Sequence, residues 1–383
     1  MIGTDMSALF APELSPFIST IISEGRFGIC KGLIRIEDVN TGCSTPIKTT
    51  PEGNMDRFSV ILPYAGCSIK WEILFNSLYP QTPPDFIFDA DDVEFAPDID
   101  NLQNLVDWCP SDPECLLKAI HELLSEYREY HYSLLKQHSR LTFEYESLMK
   151  EYNLSSPDIE VHVTKKGEHR IGPINFLIKL PVDFSRIPAY LTKDKPGDDV
   201  AVLLVTFQSP ECSKVTPQLY LSPRIEDVLG DSSVMRIPPY LNGGCLIDYL
   251  PSVCDLLKNK VDQVAYVYEK RRDYVHTFLT VFGRSVVEYD TEAFTHINFL
   301  FEWHDFFFNL GIDLSSQFPS HPPTLTFQSV YHEEGGGRPY TKIIKDYPYS
   351  PRWSANEMAE RLRTYLLEYI PAFQRGSVTE GSL

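Results

Sequence analysis

Several features that would mark a common functional class are missing from this sequence. None of its eight cysteines forms a C-x-x-C pair, and no histidine accompanies them at a zinc-binding spacing. The longest apolar stretch, about Val200 to Phe207, is too short to cross a bilayer, and the N-terminus, with Asp5 and Glu13, lacks a signal-peptide pattern. We therefore expect an intracellular chain whose cysteines are reduced and mostly buried.

Positive charge is scarce as well. The 34 Lys and Arg residues face 53 Asp and Glu residues, so the net charge is −19. This balance argues against a broad electrostatic surface for phosphate backbones or anionic lipid, and we expect neither nucleic acid nor a membrane as a partner. The one tight basic cluster, Lys270-Arg271-Arg272, is interpreted as a solvated helix face.

The residue constellations of hydrolases are also absent. A zinc metalloprotease needs a His-x-His or His-Glu-x-x-His arrangement to hold its ion, and the ten histidines form neither. Glu122 follows His121, but Ser125 stands where the second histidine would be needed. No Gly-x-Ser-x-Gly nucleophile motif occurs. The sequence therefore predicts no metal site and no cofactor site in this chain.

The chain does contain a repeated pattern. Its 383 residues, 43% of them hydrophobic, suffice for two or three folded domains. The segments Tyr79 to Phe88 and Phe318 to Phe327 both follow the order aromatic-Pro-x-x-Pro-Pro-x-apolar-x-apolar. The prolines stop any preceding helix, and the alternation after them is typical of a half-buried strand. Each segment therefore predicts a turn that leads into a strand.

The surroundings of the two copies repeat too. Two strand-like runs precede each copy, and a capping box (a Ser followed three residues later by Glu) precedes an amphipathic helix after it. Before the first copy the runs are Phe58–Pro63 and Ile69–Phe75, on either side of the turn Tyr64-Ala65-Gly66. Before the second copy they are Phe294–Trp303 and Phe306–Ile312, on either side of the turn His304-Asp305. The capping boxes begin at Ser111 and Ser354. The first helix keeps its periodicity to about Met149, long enough to act as a spacer.

A weaker third copy lies between the outer two. It contains a strand candidate at Asp199–Phe207, the segment Pro217–Leu221, and a helix from about Ser252 that ends at Gly283. We predict an α+β fold of three modules, 1–152, 158–283 and 284–383, each an antiparallel meander sheet packed with helices. The outer two modules are clear, and the middle one is divergent.

This order of elements, with Trp108-Cys109-Pro110 before a helix, resembles the ubiquitin-conjugating-enzyme fold and its catalytically inert variants (UEV domains). In that family an Asn holds the oxyanion and a Cys carries ubiquitin as a thioester. Between Phe88 and Trp108 this chain has no Cys, His or Asn-Pro, and no Cys follows Cys254. Both outer modules are therefore predicted to be inert. The acidic loop Asp89–Glu94 is interpreted as solvent-facing because it lacks calcium-loop spacing, and Cys109 as a packing residue.

The middle module holds the one candidate nucleophile. Gly243-Gly244-Cys245-Leu246-Ile247-Asp248 is similar to the run around the family's catalytic Cys. Eight residues upstream, Ile237-Pro238-Pro239 stands where the oxyanion-stabilising Asn is needed, and no charged neighbour in the local sequence activates the thiol. Cys245 is interpreted as an inactive, structural residue, so no catalytic residue is predicted.

Across nearly the whole chain the resemblance narrows to the BRE family. It rests on long strings of residues: Leu14–Ser19, Asp56–Phe58, Leu180–Ser185, Leu221–Glu226, Gly244–Tyr249, Pro323–His332 and Tyr347–Trp353. The resemblance implies a non-catalytic adaptor of a deubiquitinase that cuts 63-linked polyubiquitin, in BRISC in the cytoplasm and the breast-cancer-susceptibility A complex in the nucleus, with roles in the DNA-damage response and signalling. The implied partners are a zinc-dependent JAMM-type deubiquitinase, which would hold the only zinc, an Abraxas-family scaffold, a small von Willebrand A-like subunit and ubiquitin.

Two other functions stay open on the residues alone. One is a divergent ubiquitin carrier that uses Cys245, and the other is a UEV module that binds proline-rich peptides. Tyr365, Tyr369 and Phe373 either anchor a partner or close the core of the third module. The loop Gly335–Gly337 is expected to be flexible, without an assigned function, and deletion from about Ser285 is expected to remove partner subunits.

Overall fold

The first sheet is an antiparallel meander that follows an N-terminal helix. The computed structural model describes residues 6–42, 55–76, 79, 81–89, 92, 94–152, 156–165, 171–212, 214–231, 233, 235–335 and 337–381. Helix α1 (Ser15–Glu24) and the short hairpin β1 (Arg26–Phe27) and β2 (Gly32–Leu33) lead into the four-stranded sheet. Its strands are β3 (Arg35–Asn40), β4 (Arg57–Tyr64), β5 (Cys67–Leu74) and β6 (Asp85–Ile87), in that order.

The hairpin between β4 and β5 turns at Ala65 and Gly66, as predicted. Both have positive φ, 46° and 75°, the backbone that a two-residue turn between twisted strands requires. A Cβ atom on Gly66 would lie 2.9 Å from the terminal methyl groups of Leu204, which can shift, so the positive φ is the main reason for glycine here. Phe58, Val60 and Leu62 alternate along β4 into the core.

The helices after this sheet correct two predictions. α2 (Gln103–Val106) precedes α3 (Cys115–Leu135), whose N-cap is Glu114 without a side-chain hydrogen bond; the capping box predicted at Ser111 is therefore wrong. The continuous helix to Met149 is also wrong, because the backbone is extended at His138 and a separate helix, α4 (Ser139–Glu151), begins there. Leu134, Leu141 and Leu148 are buried, so the two helices are packed rather than acting as a spacer.

The second sheet is also fully antiparallel. It contains β7 (Ile159–Lys165), β8 (Ile171–Lys179), β9 (Ala201–Phe207) and β10 (Val215–Leu221), in the order β10-β9-β8-β7. The predicted strand ending at Phe207 is confirmed, and Pro217 lies in the edge strand β10, where a missing N–H is tolerated. α5 (Pro223–Leu229) follows. α6 (Leu246–Phe282) begins earlier than the predicted Ser252 and ends next to Gly283, as predicted.

The third sheet has five strands in sequential order. They are β11 (Val286–Tyr289), β12 (His296–Trp303), β13 (Phe306–Asp313), β14 (Thr324–Glu334) and β15 (Arg338–Ile344). The predicted turn at His304 and Asp305 is confirmed, with φ values of 50° and 63°. α7 (Ala355–Glu380) packs on this sheet. Its predicted cap is confirmed, since the Ser354 hydroxyl accepts a hydrogen bond from the Glu357 N–H at 3.2 Å.

The helices and antiparallel sheets make this an α+β protein, as predicted. The chain divides into two compact units: a first unit of residues 1–182 and 197–256, and a second unit of residues 183–196 and 257–383. Each has its own core; that of the second unit is built from Phe299, Phe308, Phe327, Leu362 and Phe373 among others. The three-module boundaries and the UEV likeness stay predictions.

Candidate functional site

Cys245, the candidate nucleophile, lies directly before α6. Glu144 and Arg140, one turn apart on α4, hold this point of the chain. The Glu144 carboxylate accepts a hydrogen bond from the Leu246 N–H at 2.7 Å, and Arg140 Nη2 donates to the Gly244 carbonyl at 2.6 Å. Arg140 also lies 3.5 Å from Cys245 Sγ and forms an ion pair with Glu144 at 2.5 Å. The start of α6 is thus capped from outside by another helix.

The electrostatics of this cluster centre on the buried carboxylate. Burial raises the pKa of Glu144, and the Leu246 N–H and the Arg140 guanidinium act in the opposite direction. Sequence reasoning found no charged neighbour for Cys245 because Arg140 precedes it by 105 residues. Arg140 is engaged with Gly244 and Glu144, so its contacts hold the helix start. The inactivity of Cys245 stays a prediction.

The cysteines as a group differ from expectation. All seven described cysteines are free, but only Cys115 is buried, so the prediction of mostly buried thiols is wrong; Cys43 lies outside the described residues. Cys109, predicted to be a packing residue, is exposed, and its Sγ lies 3.1 Å from Ser111 Oγ. This contact and the neighbouring backbone groups lower the pKa of the Cys109 thiol. The turn before α3 faces solvent, which is why Cys109 cannot pack.

The acidic loop after β6 is not uniformly solvent-facing. Asp89, Asp92 and Glu94 are described, whereas Ala90, Asp91 and Val93 lie outside the described residues. Asp92 is buried and accepts a hydrogen bond from the hydroxyl of Tyr127 on α3, so the solvent-facing interpretation is wrong for this residue. Glu94 forms an ion pair with Lys165.

Asp92 belongs to a group of three possible metal ligands that the sequence gave no reason to expect. Its carboxylate, His131 on α3 and His162 on β7 offer ligand atoms within 4.8 Å of one another. However, His131 Nδ1 accepts a hydrogen bond from the Val163 N–H at 3.1 Å, so the proton of the neutral ring is assigned to Nε2. Nε2 then has no lone pair for a metal. Asp92 and His131 are explained as buried polar residues that hydrogen-bond to the Tyr127 hydroxyl and the Val163 N–H, respectively.

The charges around His131 agree with this explanation. Burial lowers the pKa of His131 well below its usual range, and the neighbouring His162 and Lys165 lower it further. The positive charge of Lys165 beside these residues disfavours the binding of a metal cation here. No sequence signal identifies these residues together, since they come from a loop, a helix and a strand far apart in the chain.

Two predictions in the second unit have clear outcomes. Arg271 was predicted to be solvated, but it is only 7% exposed and donates a hydrogen bond to the Ser315 carbonyl at 2.8 Å. This prediction is wrong because that part of α6 packs against the third sheet.

Phe373 is buried in the core, and Tyr365 and Tyr369 stack at 5.6 Å beside it, so the core interpretation is confirmed for Phe373. Gly335 and Gly337 join β14 to β15; Gly336 lies outside the described residues.

Comparisons with known proteins identify the family. The family model described as "Brain and reproductive organ-expressed protein (BRE)" matches residues 9–333. A protein of Branchiostoma floridae named "BRISC and BRCA1-A complex member 2" is 46% identical over 374 residues, which cover 97% of this chain and 97% of that protein. A protein of Danio rerio with the same name is 46% identical over 379 residues, again 97% of each chain. By these matches over almost its whole length, the chain belongs to the BRE family, as predicted.

Proposed function

We propose that this chain is a non-catalytic adaptor subunit of BRISC-type and BRCA1-A-type complexes. The observation that carries the proposal is the 46% identity, over 97% of both chains, to two proteins named as members of these complexes. The proposal includes action in the cytoplasm and in the nucleus.

The proposed lack of catalysis has local support. Among the described residues, the one group of possible metal ligands contains His131, whose Nδ1 accepts the Val163 N–H, so that the proton of the neutral ring is assigned to Nε2. Cys245 lies beside an arginine that also holds the start of α6, and Pro238, upstream of it, uses its carbonyl to accept the Tyr249 hydroxyl at 2.7 Å. Neither arrangement resembles a working hydrolase or a ubiquitin carrier with an oxyanion-stabilising amide.

The catalysis would then be performed by a partner. We propose that a zinc-dependent JAMM-type deubiquitinase cuts 63-linked ubiquitin chains in the complex, and that this chain bridges it to an Abraxas-family scaffold and a small von Willebrand A-like subunit. Zinc would belong to that deubiquitinase. Ubiquitin is a further proposed ligand of the adaptor, through its UEV-like modules.

The test is to purify the tagged full chain from cells, identify the co-purifying proteins by mass spectrometry, and assay the complex on 63-linked ubiquitin chains with and without a zinc chelator. The proposal requires a metalloprotease and a scaffold in the complex, with cleavage that the chelator abolishes. Isolation of the chain by itself would refute it.

The same preparation separates the two alternatives. A ubiquitin carrier would show a reducible ubiquitin adduct that disappears in Cys245→Ser. A peptide-binding module would bind isolated proline-rich peptides without any other subunit. An adaptor shows neither behaviour and retains its partners in Cys245→Ser.

A further inference from the structure

Two cysteines from different parts of the first unit lie beside one guanidinium. Cys245 lies directly before α6, and its Sγ is 3.5 Å from Nη2 of Arg140 on α4. Cys212 lies in the loop between β9 and β10, and its thiol interacts with the same guanidinium. The proposed adaptor function uses neither thiol.

Packing around Tyr240 brings the two turns together. The ring of Phe207, the last residue of β9, packs edge-on against the Tyr240 ring with centroids 6.4 Å apart. The Tyr240 hydroxyl donates a hydrogen bond at 2.9 Å to the carbonyl of Gly244, the residue before Cys245. The loop that carries Cys212 and the turn that carries Cys245 are therefore neighbours in the folded chain, next to one tyrosine.

The Cys212 thiol is positioned by a tight turn. Its backbone has a φ of 55°, in the left-handed region that few non-glycine residues adopt. The Cys212 N–H donates to the Ser209 carbonyl at 3.0 Å, and the Sγ lies 3.5 Å from the Pro210 carbonyl oxygen. Cys212 and Cys245 are both free and partly exposed, so a small oxidant reaches them from solvent.

The shared guanidinium favours the reactive form of the two thiols. An adjacent arginine stabilises the thiolate, which is the form that reacts with a peroxide. Burial raises the pKa of the Cys212 thiol, the charge of Arg140 acts in the opposite direction, and Glu144, the ion-pair partner of Arg140, raises it again. A sulfenic acid formed on one cysteine condenses with a neighbouring thiol, and the second cysteine at the same guanidinium supplies one.

We propose that Cys212 and Cys245 are a redox-sensitive pair that hydrogen peroxide joins in a reversible disulfide. One thiolate attacks a peroxide oxygen, the O–O bond breaks, and the sulfur becomes a sulfenic acid while the released hydroxide takes up the proton of the thiol as water. The second thiolate then attacks the sulfenic sulfur, the S–S bond forms, the S–O bond breaks, and a second water leaves. The two sulfurs together lose two electrons, and one peroxide is reduced to two waters.

The disulfide changes how the start of α6 is held. In the reduced chain, the Glu144 carboxylate accepts the Leu246 N–H at 2.7 Å, and Arg140 donates to the Gly244 carbonyl at 2.6 Å. The disulfide adds a covalent link from Cys245 to the loop between β9 and β10, which restricts local opening of this turn as a cross-link restricts an unfolded chain. Oxidation therefore stabilises the start of α6, and reduction returns it to hydrogen bonds alone.

The test oxidises the purified full chain, without partners, after the reductant has been removed. Hydrogen peroxide is raised until dimedone labels Cys109, which is exposed and has a lowered thiol pKa, so that the oxidant is known to have acted. The chain is then digested without reduction, and the peptides are identified by mass spectrometry. We expect a peptide that joins Cys212 to Cys245 and disappears on treatment with dithiothreitol. Labelled Cys109 without this joined peptide overturns the proposal, and so does a disulfide between Cys245 and any other cysteine.

Variants confirm the pairing. Cys212→Ser and Cys245→Ser are each expected to abolish the joined peptide and to leave the remaining cysteine as a sulfenic acid that dimedone traps. Cys254→Ser removes another partly exposed cysteine, on α6, and is expected to leave the joined peptide unchanged. Circular dichroism checks that each variant is folded. Loss of the joined peptide in a folded Cys254→Ser variant contradicts the pairing.

Hydrogen exchange measures the effect on α6. The Leu246 amide is expected to exchange roughly tenfold more slowly in the oxidised chain than in the reduced chain. In Cys212→Ser, peroxide should leave this rate unchanged. Equal rates in the oxidised and the reduced natural chain refute the stabilisation of α6 by the disulfide.

Discussion

Tyr79 and Phe318 occupy the same position in the two copies of the proline motif, yet Tyr79 is 62% exposed and Phe318 is 2% exposed. In the second unit, the Tyr347 hydroxyl donates to the Pro323 carbonyl at 3.0 Å, the Tyr349 hydroxyl donates to the Pro319 carbonyl at 2.5 Å, and Tyr274 packs edge-on against Phe318. In the first unit, the Tyr79 N–H donates a hydrogen bond to the Asn76 carbonyl, and the Tyr79 carbonyl accepts from the N–H and the hydroxyl of Thr82. The first aromatic position of the motif is therefore core in one unit and surface in the other.

The helix starts differ in the same way. α7 begins with a local cap made by Ser354, three residues from its partner. α3 begins without the cap that its sequence suggests, and α6 begins with a cap supplied by Glu144 from another helix. Local pattern is sufficient in the second unit, whereas the first unit relies on contacts between distant segments.

The largest expected difference is between the two aromatic positions of the motif. Phe318→Ala should lower the free energy of unfolding of the second unit by about 3–5 kcal/mol, because it leaves a cavity in the core. Tyr79→Ala should change that of the first unit by about 0.5 kcal/mol or less. Urea unfolding followed by hydrogen exchange, which resolves the two units, measures both. Equal effects would show that the two copies are equivalent.

The distant cap is the next test. Glu144→Ala removes the acceptor of the Leu246 N–H and the partner of Arg140, and we expect it to cost about 3 kcal/mol. In this variant, the backbone amides of the first turn of α6 should exchange their hydrogens faster. Glu146→Ala, an exposed carboxylate on the same helix, is the control and should have little effect. An unchanged exchange rate at Leu246 would mean that α6 does not depend on α4.

Lowering the pH should reduce the stability of the first unit through His131. Above pH 6.5 the ring is neutral in both the folded and the unfolded chain. Below pH 6.5 the unfolded chain gains a proton that the folded chain, with Asp92, His162, Lys165 and Tyr127 around the ring, does not, so stability falls as the pH falls. The loss approaches about 1.4 kcal/mol per pH unit.

His131→Gln keeps an acceptor for the Val163 N–H but does not titrate. Between pH 7 and pH 5.5 its stability should fall less than that of the natural chain, as measured by urea unfolding. An equal loss in both would assign the acid sensitivity to other groups.

The smallest expected effect concerns the two capping boxes. Ser354→Ala should cost about 1 kcal/mol because it removes the cap of α7. Ser111→Ala should be close to neutral, because Ser111 caps no helix. Thermal unfolding of the two variants compares them directly. A cost at Ser111 as large as that at Ser354 would contradict the absence of a cap at α3.

Much of the fold could be predicted, and the candidate sites much less. The turns at Ala65-Gly66 and His304-Asp305, the strand at Ala201–Phe207 and the end of α6 depend on neighbouring residues, so local pattern was enough. The break between α3 and α4 was missed because the apolar stripe continues through it while the backbone at His138 does not. Arg271 was misjudged because a basic run contains no information about which of its members packs inward.

By itself, the sequence determined the α+β class, the hairpins, the cap of α7 and the membership of the BRE family, because each depends on residues adjacent in the chain or on long strings of matching residues. Only the tertiary structure decided the neighbours of Cys245, the burial of Asp92 and the tautomer of His131. Each of these rests on contacts between segments some 30 to more than 100 residues apart. Charge and hydrogen bonding act through space, so a carboxylate or an imidazole takes its properties from neighbours that the order of residues does not reveal.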